Sequence, residues 1–161
     1  MLKIIVNSTP IIALSAIDEL HLLKDLYGEV IIPKAVFNEV VLKGNNRAGS
    51  NFTIKYDFIN IQTITNENAK RYFETSLHEG EVEVMILAQE ITADICIIDD
   101  YLARRYAKHL GLSITGTIGV LIKAKEKGLL KEITPLLNAL ISNGIYIDNK
   151  LFDTVVKLAK E

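Results

Sequence analysis

The chain of 161 residues contains a single cysteine and has a formal net charge of only −2. One cysteine excludes an internal disulfide, and the apolar run ADICII around Cys96 predicts a small buried side chain in a reducing compartment. We therefore expect a cytoplasmic protein. Because the net charge is small, the whole molecule provides no long-range attraction for nucleic acid, and any such contact needs a local basic patch.

Long apolar runs are also missing from the sequence. No segment approaches the roughly 20 apolar residues of a membrane span, and the first residues, MLKIIVNSTP, have neither a secretory core nor a cleavage site. We therefore expect no membrane contact. With 49% hydrophobic residues the chain is long enough for one well-buried core, so residues 1–161 are interpreted as a single domain.

The three histidines of the chain, His21, His78 and His109, are far apart in sequence. Their separation excludes the paired His and Cys spacing that is typical of zinc sites. Each histidine lies next to a segment of helical spacing, and we interpret each one as a surface or helix-capping residue.

Short runs rich in Ile and Val alternate with segments of helical spacing. The runs are residues 2–6, 29–32, 94–98 and 113–115, with a weaker one near residue 58. This alternation predicts a parallel sheet covered by helices on both faces, a three-layer α/β/α fold. After residue 116 the pattern predicts three amphipathic helices. The polar, Gly- and Asn-rich segment KGNNRAGSN, residues 43–51, is expected to form a mobile loop.

Polar residues follow two of the predicted strands directly. Asn7, Ser8 and Thr9 come after the first strand, and Asp99 and Asp100 come after the fourth. Because the crevice of an open parallel sheet lies at the carboxyl ends of its strands, these residues meet if the two strands are neighbours. Two adjacent ionised carboxylates repel each other. Capping of the following helix accounts for one aspartate but not for both.

The segment GEVEVMILAQE, residues 80–90, is apolar almost all round and opens with two acidic residues. Positions two apart lie about 200° apart on a helix, so we expect only one of them to face inward. Glu81 aligns with the apolar positions, whereas Glu83 aligns with Glu90 on the predicted solvent side. An inward Glu81 either complements the helix N-terminus or belongs to a functional site.

Glu39 lies between apolar positions in AVFNEVV, with Lys43 one turn later, so a surface ion pair is one explanation for it. The other is a shared site with the acidic and amide residues described above. Asn7, Glu39, Glu81, Asp99 and Asp100 are oxygen donors from separate segments, a set typical of Mg²⁺ or Mn²⁺. We expect their oxygens to converge on one centre.

Four stretches carry a resemblance to a known family: IIVNSTPIIALSAIDELHLL, VIIPKAVFNEV, LHEGEVEVMILAQE and ICIIDDYLARRYAKHLGLSITGTIGVL. In this order and spacing the chain resembles the PIN-domain nucleases, most closely the branch related to the ribonuclease toxins of bacterial and archaeal toxin–antitoxin pairs. The resemblance places the family's metal acids on Asn7, Glu39, Glu81 and the aspartate pair, where Asp100 is favoured over Asp99. The chain departs from the family at Asn7, where Asp is usual.

The resemblance implies metal-dependent hydrolysis of the phosphodiester bonds of RNA, with Mg²⁺ or Mn²⁺ held by these residues. Glu39, Glu81 and Asp100 are the implied catalytic acids, and Thr9 matches the family's small hydroxyl residue near the substrate. Arg104 and Lys108 are one helical turn apart and form a candidate face for the phosphate backbone. The alternative for these two basic residues is a solvated helix face.

The expected partners are an RNA substrate, a small antitoxin protein and a second copy of the chain. Related PIN proteins commonly dimerise, and the apolar helices predicted near the C-terminal end exceed what a small sheet needs for cover. A second function is a catalytically weakened PIN fold that serves as an RNA-binding or protein-interaction module, because Asn7 lacks the usual charge. A receiver-like phosphorylation switch fits less well, because that design has its acid pair after the first strand.

Overall fold

A computed structural model describes residues 1–44, 56–73 and 75–161, without the side chains of residues 43 and 44. Its strands are β1 (Ile4–Val6), β2 (Val30–Pro33), β3 (Ile59–Gln62), β4 (Ile95–Ile97) and β5 (Ile114–Thr115). They form one five-stranded parallel sheet in the order β3-β2-β1-β4-β5. All the predicted strands are confirmed, including the weak one near residue 58.

The helices follow the predicted segments and occupy the connections between strands. They are α1 (Ser8–Ala16), α2 (Leu22–Tyr27), α3 (Lys34–Gly44), a 3-10 helix (Glu67–Tyr72), α4 (Glu79–Ile91), α5 (Tyr101–His109), α6 (Thr117–Glu126), α7 (Thr134–Ser142) and α8 (Asn149–Leu158). The last three make the C-terminal third helical, as the sequence predicts. In the part of the chain that the structure describes, no helix is long and apolar enough to cross a membrane.

The central strand shows that both faces of the sheet are covered. Ile4, Ile5 and Val6 of β1 are all 0% exposed. Since successive side chains of a strand point to opposite faces, apolar side chains are buried on each side of the sheet. The predicted three-layer α/β/α architecture is therefore confirmed.

Two segments differ in detail from the sequence interpretation. The stretch TPIIALSAIDELHLLKDLYG has continuous helical spacing, yet it forms two helices, α1 and α2. Between them Asp18 has a positive φ of 58°, which is incompatible with a continuing right-handed helix. In the expected loop 43–51, residues 43 and 44 belong to α3, and residues 45–51 lie outside the described residues.

Glu83 was expected on the solvent side of α4, and this expectation is wrong. Its side chain is buried, as is every residue of α4 from Gly80 to Ala88. One carboxylate oxygen accepts a hydrogen bond from the backbone N–H of Ala35 at 3.0 Å, and the other lies 2.9 Å from Nζ of Lys70. The 3-10 helix brings Lys70 over this side of α4. It therefore covers the face that the helical spacing predicts to be exposed to solvent.

Lys70 is the cation that makes this burial tolerable. Its Nζ also lies 2.9 Å from carboxylate oxygens of Glu67 and Glu79. Hydrogen bonding to Glu83 raises the pKa of Lys70 above its ordinary value, although partial burial opposes the rise. Lys70 therefore remains charged, and it ties the 3-10 helix to the start of α4.

Replacement of Lys70 tests this account of the buried carboxylate. Lys70→Met is expected to lower the free energy of unfolding by about 3 kcal/mol, because it leaves Glu83 buried without its cation. The double variant Lys70→Met/Glu83→Gln is expected to recover part of this loss. Urea denaturation followed by circular dichroism measures both values.

Lys24 provides the matched control for this measurement. Its Nζ lies 3.9 Å from a carboxylate oxygen of Asp57, and both side chains are largely exposed. Lys24→Met is therefore expected to change stability by less than about 0.5 kcal/mol. Equal losses for the two lysine variants would contradict the role assigned to Lys70.

Candidate active site

The candidate site lies where the strand order changes direction, between β1 and β4. From β1 the chain continues to β2 and β3 on one side, whereas β4 and β5 occupy the other. Val6 pairs with Ile97, and the backbone N–H of Asn7 extends the ladder to the carbonyl of Ile97 at 3.0 Å. The polar residues that follow the two strands therefore lie at the same edge of the sheet, as predicted.

Asn7 is deeply buried at this edge, with 2% of its surface exposed. It stands at the N-cap position of α1, but its side chain makes no capping bond. Its Oδ1 has no hydrogen-bond partner among the described residues. A buried amide oxygen without a partner is costly, and such a group needs a ligand or a functional reason.

Glu39 reaches the site from α3 and makes two well-formed hydrogen bonds there. Oγ of Ser8 donates to one carboxylate oxygen at 2.7 Å, and the backbone N–H of Gly80 donates to the other at 2.8 Å. The first bond joins α3 to the start of α1, and the second joins it to the start of α4. Lys43, the partner in the expected surface ion pair, has its side chain outside the described part of the structure.

Gly80 permits the close approach of Glu39. A Cβ atom at this position would lie 2.5 Å from Oε1 and 2.8 Å from Oε2 of Glu39. Any larger residue would therefore displace the carboxylate, and the residue next to Glu81 must be glycine for this arrangement to form.

Glu81 faces inward, as predicted, and only 5% of its surface is exposed. One of its oxygens accepts a hydrogen bond from the backbone N–H of His78 at 2.9 Å, so Glu81 also caps the N-terminus of its own helix. Burial raises the pKa of Glu81 above its ordinary value, and this rise outweighs the opposing bond from His78. The neighbouring Asp100 carboxyl, which is within hydrogen-bonding reach, raises the pKa further.

The adjacent aspartates cap two different helices. Asp100 is the N-cap of α5 and accepts a hydrogen bond from the N–H of Ala103 at 2.9 Å. Asp99 turns the other way and accepts bonds from both the N–H and the hydroxyl of Thr117 at the start of α6. Capping of the following helix thus accounts for one aspartate, as expected, whereas Asp99 caps a second helix that comes from a distant part of the sequence.

The predicted substrate-facing residues lie in different environments. Arg104 is half-buried, and its Nη1 donates to the carbonyl of Ile98 at 2.8 Å. Lys108, one turn later on α5, is exposed, as is Thr9 in the first turn of α1. Arg104 is thus anchored beside the sheet edge, while Lys108 extends into solvent.

Sequence reasoning missed two residues that shape this site, Gly80 and Thr117, and it assigned no role to Ser8, which it placed at the strand end. Ser8 directly follows Asn7, and its proximity to the polar strand end was the available signal. Gly80 directly precedes Glu81 at a helix start, where glycine has no advantage for helix formation. Thr117 gave no local signal, because its partner Asp99 is 18 residues away.

The oxygen donors form a chain of contacts rather than a single three-acid cluster. Ser8 joins Asn7 to Glu39, Gly80 joins Glu39 to Glu81, and Glu81 meets Asp100. Within residues 1–44, 56–73 and 75–161, no group of three or more His, Cys, Asp or Glu side chains is arranged to hold a metal ion. The donor types themselves, carboxylate, amide and hydroxyl oxygens, are those that Mg²⁺ accepts.

The fold and the site define a protein of the parallel three-layer α/β/α class with acidic side chains at its topological switch point. The DUF3368 family, described as a PIN domain, matches residues 3–161 of the chain. The chain therefore belongs to the PIN-domain family, as its sequence motifs indicated. No curated protein matches the chain closely enough to specify its activity further.

The contact between Gly80 and Glu39 predicts that the effect of Gly80→Ala on the free energy of unfolding changes sign when the Glu39 side chain is removed. Gly80→Ala alone is expected to destabilise the protein by about 1 kcal/mol, because the new methyl group displaces the Glu39 carboxylate from its hydrogen bonds. In a Glu39→Ala background the same change is expected to stabilise by about 0.5 kcal/mol, because alanine favours the helix more than glycine does. Urea denaturation of the four proteins gives the cycle; a penalty of equal size in both backgrounds would refute the contact.

Proposed function

We propose that this protein is a metal-dependent ribonuclease, the toxin component of a toxin–antitoxin pair. The observation that carries the proposal is the meeting of Glu81 and Asp100 at the sheet edge that also holds Asn7, whose buried Oδ1 has no partner among the described residues. Two close carboxylates repel when both are ionised, and a divalent cation relieves this repulsion. The same cation supplies a partner for an amide oxygen that otherwise has none.

The proposed ligands of Mg²⁺ or Mn²⁺ are Asn7, Glu81 and Asp100, and Glu39 is a further acid of the site. Of the two aspartates, Asp99 is the less favoured ligand. Asp99 is less favoured because Thr117 engages both of its carboxylate oxygens. A bound metal ion would lower the pKa of a water molecule and stabilise the charge that develops on the phosphate during hydrolysis. The hydrogen bonds from Ser8 and from the N–H of Gly80 would keep the Glu39 carboxylate oriented toward the site.

RNA is the proposed substrate, and local positive charge at this edge supports it. Arg104 is held beside Asp99, and Lys108 and Arg105 extend from the exposed side of α5. Basic side chains next to an acidic cleft position a phosphate backbone while the acids act on one phosphate. Thr9, two residues after Asn7, is exposed in the first turn of α1 and is proposed to contact the substrate. The proposed location is the cytoplasm.

A second function has a specific observation in its favour. Asn7 contributes no charge, and Glu81, Asp99 and Asp100 all make helix-capping bonds that stabilise the fold without a metal. A PIN domain of this kind can serve as an RNA-binding or protein-interaction module. Binding of single-stranded RNA in chelator, without cleavage when Mg²⁺ or Mn²⁺ is added, would favour this function over the nuclease.

Self-association is the third part of the proposal. Ile141 of α7 and Leu158 of α8 are 43% and 62% exposed, and they lie in the apolar C-terminal helices expected to dimerise. We expect light scattering at micromolar concentration to give twice the monomer mass and Leu158→Asp to shift it toward the monomer. A monomeric wild-type protein under these conditions would contradict the dimer.

Restoring the missing charge at Asn7 tests the metal site. Asn7→Asp is expected to lower the melting temperature in chelator, because it adds a buried carboxylate near Glu81 and Asp100. With Mn²⁺ the variant is expected to bind the ion more tightly, gain more in melting temperature and cleave labelled single-stranded RNA faster than wild type. Calorimetric titration of Mn²⁺ provides a measure that does not depend on activity. Equal Mn²⁺ affinity for the two proteins would argue against Asn7 as a ligand.

Asp100→Asn is expected to abolish cleavage and weaken Mn²⁺ binding while the protein stays folded. Asparagine caps helices about as well as aspartate does, so the start of α5 is preserved. Asp148→Asn is the matched control, because Asp148 caps α8 through the N–H of Leu151 at 2.7 Å. Cleavage that survives both Asp100→Asn and chelation would come from another site or a contaminant.

A further inference from the structure

A cavity of about 480 Å³ opens beside the candidate active site, between α1, the start of α6 and the turn that joins α7 to α8. Thr9 and Asp99, close chain neighbours of Asn7 and Asp100, line its inner end. The cavity therefore lies at the same edge of the sheet as the candidate site. Its volume is within the range of about 300–1,000 Å³ that is typical of small-ligand sites.

The outer wall of this cavity is apolar and ends in an exposed aromatic ring. Ile118, Leu140, Ile145 and Ile147 form the wall. Tyr146, in the turn after α7, also lines the cavity, although 87% of its surface is exposed to solvent. An exposed tyrosine beside an apolar wall presents a flat surface on which a planar ring can stack.

The inner wall carries the positive charge of Arg104, with the Asp99 carboxylate close by on the other side of Gly116. Arg104 lines the cavity and is fixed through one nitrogen, Nη1, to the carbonyl of Ile98. Among the described residues it makes no ion pair with an Asp or Glu side chain. The nearby Asp99 directs both its oxygens to Thr117. A guanidinium group that is held in place but unpaired is suited to bind a phosphate.

Gly116 keeps Asp99 and Arg104 in these positions. A Cβ atom at Gly116 would lie 2.7 Å from Oδ1 of Asp99 and 3.0 Å from Nη1 of Arg104. The absence of a side chain there allows the acid and the base to flank the backbone at the start of α6. The acid is used for capping, and the base remains available to the cavity.

We propose that this cavity is a nucleotide subsite that holds a residue of single-stranded RNA adjacent to the cleaved phosphate. The base packs against Ile118, Ile145 and Ile147 and stacks on Tyr146, while Arg104 binds the phosphate. Charge complementarity with Arg104 selects a nucleotide over an uncharged apolar ligand. This inference rests on the proposed ribonuclease function for the identity of its ligand, but the binding itself requires neither a metal nor cleavage.

The test uses adenosine monophosphate and the full-length protein in chelator, so that neither metal binding nor cleavage affects the result. Titration into isotope-labelled protein is expected to shift the backbone amide NMR signals of Ile118, Gly119, Ile145 and Ile147. Arg104→Gln is expected to weaken binding about tenfold or more, and Tyr146→Ala about fivefold or more. Labelled single-stranded RNA, followed by fluorescence anisotropy, is expected to show the same ranking.

Two matched variants serve as controls for this experiment. Arg71→Gln removes an arginine that lies over the Tyr72 ring outside the cavity, and Tyr72→Ala removes another largely exposed tyrosine. Both are expected to bind adenosine monophosphate like wild type. Because Tyr146 is exposed, its variant should fold normally, and it decides the outcome if Arg104→Gln does not fold.

Three results would overturn the subsite: no signal shifts, shifts confined to other parts of the chain, or equal affinities for the Tyr146 and Tyr72 variants. If the cavity instead receives a segment of a protein partner, adenosine monophosphate is expected to cause no signal shifts. Binding in the cavity together with absent cleavage would refute the proposed nuclease and leave the subsite standing. Cleavage of RNA without binding in the cavity would refute the subsite and leave the proposed nuclease standing.

Discussion

The pairing of β1 with β4 is the interaction on which the rest of the molecule depends. β1 is the central strand, its three residues are fully buried, and its register with β4 is extended by the bond from Asn7 to the carbonyl of Ile97. This register sets Asn7 next to the segment that carries Asp99 and Asp100. Ser8, one residue further, donates a hydrogen bond that positions Glu39. Glu39 in turn accepts a bond from the N–H of Gly80, which holds the start of α4 at the same edge of the sheet. A slip in this register would separate all the acids at once.

The acids of the site are also the caps of the surrounding helices, and this explains how so many carboxylates coexist. Glu81 caps α4, Asp100 caps α5 and Asp99 caps α6, so each faces the positive end of a helix. Capping by each such residue is worth about 0.5–2 kcal/mol. The repulsion between the carboxylates is thus partly offset by the backbone before any cation binds. The pKa of Glu81 is still raised, chiefly because the side chain is buried and to a smaller extent because Asp100 lies close to it.

The sequence was sufficient to predict the features that depend on local pattern. Ile and Val runs predicted every strand, and the polar residues after the first and fourth strands predicted the edge at which the site lies. The sequence did not predict the features that depend on contacts between distant segments. The helical spacing of α4 predicts that Glu83 faces solvent. Its side chain is covered instead by Lys70 and by the N–H of Ala35, which belong to other elements. Asp99 finds its partner in Thr117, and nothing in the stretch IIDDY indicates that a second helix begins nearby.

The strand order also determines when the site comes into existence during synthesis of the chain. β1 is made first, yet it occupies the middle of the sheet, and one of its two neighbours begins only at Ile95. Pairing between such distant segments is a slow step of folding. A nascent chain that has reached β3 contains Asn7 and Glu39 but lacks the aspartates. The acidic cleft is therefore completed only when β4 has been made and paired with β1, so a chain that stops short of β4 cannot assemble it.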